Sequence, residues 1–244
     1  MPERTPLHPW IAEKIGCAPD ALTREAITAY RLDKLNETLE LCRARSPFYR
    51  RKLAALPEKL SSLAELQLLP FTTADDVRER PLSLLAVSQS EIERVVTLDT
   101  SGTSGPPKRL YFSAADQELT RDFFHIGMAT FTAPGDRVLI LLPGERPGSV
   151  GDLLAQALPR LGAIGIAPGL VTDVAHTAAL LHREQATGVV GMPVQVLALV
   201  RAAAANNCRA HSSKASCSPP TTCLRPLCRR WKRRGAARCT TITA

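Results

Sequence analysis

Nine consecutive residues, Thr100-Ser101-Gly102-Thr103-Ser104-Gly105-Pro106-Pro107-Lys108, have the composition of an anion cradle. Glycine lets backbone amides approach and surround a charged group. The hydroxyls of Thr100, Ser101, Thr103 and Ser104 add donors, and Lys108 adds a mobile cation. The plainer reading is a surface loop between two strands, because Ser, Gly and Pro make loops anyway. A hydroxyl run, two glycines three apart and a lysine after Pro-Pro together favour phosphate binding. The loop is not a Walker A motif, which needs four residues between its glycines and ends in Gly-Lys-Ser/Thr.

A second candidate is Gly144–Gly151, with Gly148, Ser149 and Val150, which follows an apolar run. Gly191-Met192-Pro193 closes another such run. Loops at the carboxyl ends of strands are where open α/β sheets take ligands, although a turn shaped by Pro and Gly explains Gly144–Gly151 equally well. His125 reads as a packed helix residue rather than a base, and His176 and His182 as helix-surface residues. No spacing in the chain describes a metal site: Cys208-x-x-His211 stands alone, and the tail cysteines form no Cys-x-x-Cys pair.

These loops need a scaffold, and the pattern around them supplies one. Apolar positions at helical spacing (Leu22, Ile27, Tyr30, Leu32, Leu35, Leu39) predict a helix over 21–45. Ser46-Pro47 stops it and a short helix begins at Phe48. Thr72 or Thr73 caps another over Ala74–Arg78. Residues 1–90 thus read as a helical segment.

Beyond it, Val95–Leu98 and Leu110–Phe112 read as strands on either side of the glycine-rich loop. A helix over Ala114–Phe131 precedes a buried strand at Arg137–Leu142. Then come a helix at Asp152–Leu161, a strand at Ile164–Ala167, a helix from Thr172 to about Gln185, a strand at Gly188–Gly191 and a helix at Val194–Ala205. Alternation of this kind predicts an α/β domain over 91–205, a mostly parallel sheet covered by helices.

Residues 206–244 differ in kind. The whole chain of 244 residues carries a formal charge of +8, but residues 201–244 hold ten Lys and Arg and no carboxylate, leaving 21 basic and 23 acidic residues in 1–200. About five carboxylates would be expected in a segment of that length. Five of the seven cysteines also lie there, at 208, 217, 223, 228 and 239. Arg229, Arg230, Lys232, Arg233 and Arg234 could bind phosphates non-specifically, but only Trp231 is at hand to stack on bases.

An out-of-frame reading accounts for more. With synonymous codons chosen freely, Lys214–Cys223 can be written so that the shifted frame encodes Gly-Val-Leu-Leu-Ser-Thr-Asp-Tyr-Val. In that frame Trp231-Lys232 must give Glu, and Cys239-Thr240 must give Tyr or His. Leu227–Ala244 can likewise be written to end in Glu-Val-Tyr-Asp-His-Tyr-Gly. The expectation is a frameshift near Asn206–Lys214. It leaves a basic, cysteine-rich tail that does not fold.

The loop at Thr100–Lys108 resembles, position by position, the Ser/Thr-Ser-Gly-Thr-Thr/Ser-Gly-x-Pro-Lys signature of the adenylate-forming superfamily. Further matches resemble its phenylacetate–CoA ligase branch. They are Pro47-Phe48-Tyr49-Arg50, Leu69-Pro70-Phe71-Thr72-Thr73 with Asp75-Asp76-Val77-Arg78, Pro134-Gly135-Asp136-Arg137-Val138, and Gly191-Met192-Pro193 with Leu197-Ala198-Leu199. Pro106 stands where the branch often has Lys.

The resemblance implies ATP, Mg2+ and coenzyme A as cofactors and a small carboxylic acid as substrate. The carboxylate is adenylated, then passed to a thiol. Thr100, Ser101, Gly102, Thr103, Ser104 and Gly105 would cradle the phosphates and Lys108 would meet their charge, as the chain's only catalytic group. Gly148, Ser149, Val150, Gly191, Met192 and Pro193 would border the acyl group. The family's adenine-contacting motif, ribose-binding Asp and lysine-bearing lid are missing from this frame, so a truncated and inactive N-terminal domain is expected.

A phosphate-binding module with a nucleic-acid-binding tail is the alternative, but a near-neutral body argues against nucleic acid. No apolar run reaches membrane-spanning length and the first residues lack a secretion-signal pattern, so a cytoplasmic location is expected. The acid, the acceptor thiol and the oligomeric state have no signature in the sequence.

Overall fold

A computed structural model of the chain describes residues 5–98 and 107–210, with side chains followed in the last helix to Ala202. Two compact units divide between Glu118 and Leu119.

The first unit opens with helix α1 (Leu7–Ile15) and helix α2 (Arg24–Arg45). Thr23 caps α2 by accepting the Ala26 N–H, satisfying one of the donors that a helix start leaves open. At the far end Pro47 cannot continue the ladder. Ser46 instead becomes the cap of α3 (Pro47–Lys52), its Oγ accepting from the Tyr49 N–H and donating to the Ser83 carbonyl. One face of α2, with Leu32, Leu35, Leu39 and Cys42, packs against Leu53, Leu56, Leu60 and Leu69. Asn36 clamps the returning loop by accepting the Leu60 N–H and donating to the Leu60 carbonyl, at 2.8 and 3.0 Å.

Thr73, not Thr72, caps α4 (Ala74–Glu79). It forms a reciprocal capping box with Asp76, and Lys52 closes the corner at 2.7 Å from the Asp76 carboxylate. Lys52 and the backbone amide of Thr73 hold the Asp76 carboxyl well below the ordinary range, at about 2. An antiparallel hairpin completes the unit, β1 (Ile92–Leu98) and β2 (Lys108–Ser113). Both strands are longer than the apolar pattern predicted, because their outer residues are held by the ladder rather than by burial.

Helix α5 (Ala114–Met128) is three residues shorter than expected and closes in a turn before Pro134-Gly135. The second unit is then a parallel sheet of β3 (Arg137–Leu141), β4 (Ile164–Ile166) and β5 (Gly188–Gly191), in the order β4-β3-β5. Helix α6 (Val150–Ala157) runs on into a 3-10 turn over Leu158–Leu161, where Pro159 interrupts the α-ladder. Helix α7 (Val174–Arg183) is capped by Asp173 rather than Thr172. The Asp173 carboxylate accepts the Ala175 and His176 N–H groups. Helix α8 (Pro193–Ala210) runs five residues beyond its expected end.

The central strand β3 explains the layering. Its aliphatic side chains are 0–1% exposed, which only a strand covered on both faces can achieve. Val138 and Ile140 pack with Phe124, Met128, Leu154 and Leu158 on the α5–α6 face. Leu139 and Leu141 pack with Ala178, Leu180 and Leu199 on the α7–α8 face. At the amino edge, the buried Asp136 accepts from Thr187 Oγ1 and the Ala133 N–H. Arg137 spans to Glu184 at 2.6 Å. These bonds pin α7 and the start of β5 to the start of β3.

Candidate functional site

In the first unit, the glycine-rich loop is built on the hairpin. Leu98 and Lys108 are register partners at its open end, with Thr97 opposite Arg109 behind them. Thr100, Ser101, Gly102, Thr103, Ser104 and Gly105 lie outside the described residues. Their connector leaves and returns to positions one strand spacing apart, on the order of 5 Å. Lys108 opens β2 and is half-buried, its backbone fixed by the ladder. A rigid two-stranded base with a lysine at its rim suits a loop whose amides and hydroxyls gather round an anion.

In the second unit the candidate residues fall at one structural landmark. The chain leaves β3 for β4 on one side and later passes to β5 on the other, so strand order reverses between β3 and β5. Leu141 and Gly191, at the carboxyl ends of those strands, are register partners. Helix α6 starts on one face of this point and α8 on the other. Open α/β sheets leave a crevice there.

Gly148, Ser149 and Val150 lead into α6, and Gly191, Met192 and Pro193 lead into α8, so all six border the point of reversal. Backbone packing dictates several residue types. A Cβ on Gly151 would stand 2.8 Å from the Leu142 and Pro143 carbonyl oxygens, and one on Gly191 would stand 2.7 Å from Leu141 Cβ. At these two positions the backbone leaves no room for a side chain.

Two polar atoms beside the reversal have no hydrogen-bond partner among the described residues. Ser149 occupies the N-cap position of α6, yet its buried hydroxyl caps nothing; Asp152 accepts the Gly148 N–H instead, at 2.6 Å. Gln195, in the first turn of α8, has an unpaired and buried Oε1. An unmade bond at such an atom costs about 1–3 kcal/mol. Gln195 and Asp152 were not singled out by sequence. A polar residue in the first turn after a switch-point strand is the signal that could have found Gln195.

Other candidates separate from these loops. His125 sits half-buried in the last turn of α5, and His176 and His182 lie exposed on α7. Cys17 and Cys42 are free thiols, and burial pushes the Cys42 thiol up. Among the described residues no three His, Cys, Asp or Glu gather into a metal-binding group, and no helix is long and apolar enough to cross a membrane.

The described part of the chain has the fold seen in part of a solved CoA ligase, and a stretch of its sequence is similar to adenylate-forming CoA ligases. Among solved structures, 2-hydroxyisobutyryl-CoA ligase in complex with 2-HIB-AMP and CoA matches with a TM-score of 0.63 and 24% identity. That match covers 75% of this chain and 40% of that one. An open conformation of the same ligase matches at 0.62 and 21%, covering 88% and 53%.

Among curated relatives, the phenylacetate-coenzyme A ligase of Pseudomonas putida is 31% identical over 96 residues, 38% of this chain and 21% of the relative. That of Aromatoleum evansii is 31% identical over 120 residues, 48% and 26%. The matched stretch thus spans about a quarter of the curated relatives it resembles. No family model matches the sequence.

Proposed function

We propose that this chain carries the ATP-phosphate-binding part of an acyl- or aryl-CoA ligase. The observation that carries the reading is the loop Thr100–Lys108 tied across the end of the β1–β2 hairpin, in a chain with a CoA-ligase fold. In that chemistry a carboxylate oxygen attacks the α-phosphorus of ATP, taken up as its magnesium complex, and expels pyrophosphate. The thiol of coenzyme A then attacks the acyl carbon and expels AMP. Such transfers depend on positioning and charge neutralisation more than on covalent help.

The roles divide by chemistry. Ser101, Thr103 and Ser104 donate hydroxyl hydrogens to phosphate oxygens, and Thr100 adds a fourth donor. Gly102 and Gly105 let backbone N–H groups approach. Lys108 offsets the charge of the β- and γ-phosphates. The small carboxylic acid is assigned to the reversal point between β3 and β5, bordered by Gly148, Ser149, Val150, Gly191, Met192 and Pro193. Ser149 Oγ and Gln195 Oε1 are the polar groups left over there for a substrate. The absence of carboxylates from 201–244, and the coherent shifted reading of that segment, support a tail that is not the ligase's own.

The test is calorimetric titration of the full chain with Mg-ATP and with pyrophosphate. Expected is binding of both, weakened by Lys108→Ala. Equal affinity in wild type and Lys108→Ala removes the loop's assigned role.

A further inference from the structure

Helix α6 begins at Ser149, whose backbone has the geometry of a cap, with φ −69° and ψ 162°. Its carbonyl accepts the Leu153 N–H at 2.8 Å. A serine hydroxyl in that setting ordinarily accepts an N–H of the first turn. Here neighbouring groups are engaged elsewhere. The Gly151 N–H donates to the Pro143 carbonyl at 2.8 Å, and the Ser149 N–H to the Arg146 carbonyl at 3.0 Å. The Asp152 carboxylate turns back to accept the Gly148 N–H, and Gln156 donates to the same oxygen at 2.8 Å.

The main chain of Ser149 is thus bonded at both its N–H and its carbonyl. Its hydroxyl, in a residue only 6% exposed, has no partner among the described residues. Such an oxygen costs stability in the free chain, and the cost is recovered when a molecule that fits the site brings a partner.

The surroundings narrow the chemistry of that partner. Ser149 borders the point where strand order reverses between β3 and β5, and Gln195, on the α8 side, has a buried and unpaired Oε1. Hydroxyl and carboxamide are both neutral groups. Asp152, in the first turn of α6, sets a negative charge beside Ser149 and opposes a second carboxylate on the ligand. A plain alkyl or aryl group placed there leaves the hydroxyl unpaired, which a hydrogen-bonding substituent does not.

We propose that Ser149 is a specificity-determining residue, and that the acid taken at the reversal point carries a hydroxyl group that pairs with Ser149 Oγ. This inference rests on the assignment of the acid to that point.

The full chain is titrated with matched acids that differ by one hydroxyl: lactate with propionate, 3-hydroxybutyrate with butyrate, and mandelate with phenylacetate. Binding is followed by ligand-observed NMR in the presence of magnesium and α,β-methylene-ATP, which cannot release pyrophosphate. In at least one pair the hydroxy acid should bind about tenfold tighter than its parent, as expected for one well-made bond to a buried group. Ser149→Ala should erase that difference by weakening the hydroxy acid and not the parent. Ser149→Thr, which keeps a hydroxyl, should recover part of it. Melting temperature adds a readout on which a capping role has the opposite sign. Ser149→Ala should melt at or above wild type, because no bond is lost, whereas removal of a working cap lowers the melting point.

Equal binding within every pair, a difference that survives Ser149→Ala, or a lowered melting temperature in that variant overturns the inference and leaves the acid site standing. Failure of every acid, hydroxylated or not, to bind wild type overturns the inference together with the assignment of the acid to this point.

Discussion

Leu98 and Lys108 face each other across the last rung of the β1–β2 ladder, so the loop at 99–107 leaves and returns at a single place. That relationship fixes the two ends of the hydroxyl- and glycine-rich segment beside each other, with Lys108 at one of them. A lysine whose backbone is held in the ladder presents its charge at a fixed place beside the segment's return.

Lys108→Ala should therefore lower the affinity for Mg-ATP and pyrophosphate roughly tenfold while leaving the fold intact, a charge-assisted bond contributing about 1.5–3 kcal/mol. Lys108→Arg should recover part of the loss. Calorimetry gives the affinities, and unchanged far-ultraviolet dichroism shows that β2 has survived.

Two glycines should respond to alanine in opposite senses. At Gly191 the new Cβ meets Leu141 Cβ at 2.7 Å and the Leu141 carbonyl at 3.3 Å, so β5 must shift against β3. Overpacking of this kind costs about 1–3 kcal/mol. Gly127 lies within α5 with open space around its would-be Cβ. Gly127→Ala should stabilise by about 0.5–1 kcal/mol through helix propensity. Urea denaturation of both variants tests the signs, and a destabilised Gly127→Ala would contradict the packing seen around α5.

Asp76 makes stability depend on acid pH. Its folded-state pKa, held at about 2 by Lys52 and the Thr73 amide, lies below the ordinary carboxylate value of 3.8. The depressed direction means that the contribution is fully present above about pH 4 and is lost as pH falls towards 2. Asp76→Asn should flatten that part of the melting-temperature profile and leave the profile near neutrality parallel to wild type. Melting curves between pH 2 and 6 decide it; identical slopes in the two proteins would refute the assignment.

Ser46 joins three segments: its backbone ends α2, and its hydroxyl caps α3 and donates to Ser83 at 3.0 Å. It is fully buried. Ser46→Ala should cost about 1–2 kcal/mol, because the cap is lost and the Ser83 carbonyl is left unpaired. Denaturant midpoints report the loss, and Ser46→Thr should recover part of it.

Local rules carried far in this chain because most of its punctuation is chemical. Ser46-Pro47, Thr73 with Asp76 and the aliphatic run from Val138 to Leu141 mark element ends and a buried strand without reference to anything distant. Helix α1 was not read, although Leu7, Trp10, Ile11 and Ile15 stand at helical spacing. The cap of α7 fell one residue from its expected place because Thr172 and Asp173 are both competent acceptors, and only the direction of the approaching chain chooses Asp173.

By itself, the sequence marked Thr100–Lys108 as the candidate phosphate loop, showed where strands and helices alternate, and set residues 206–244 apart from the rest by composition. These are properties of neighbouring residues, and they survive without a fold.

Tertiary structure alone decided which face each β3 side chain serves and that strand order reverses between β3 and β5. Among the described residues it also left Ser149 and Gln195 with unpaired polar atoms beside that reversal, and β5 at an edge. Each depends on segments distant in sequence meeting in one register, as Val138 meets Gly188. Periodicity fixes the spacing of side chains along an element but carries no information about which distant element will cover them.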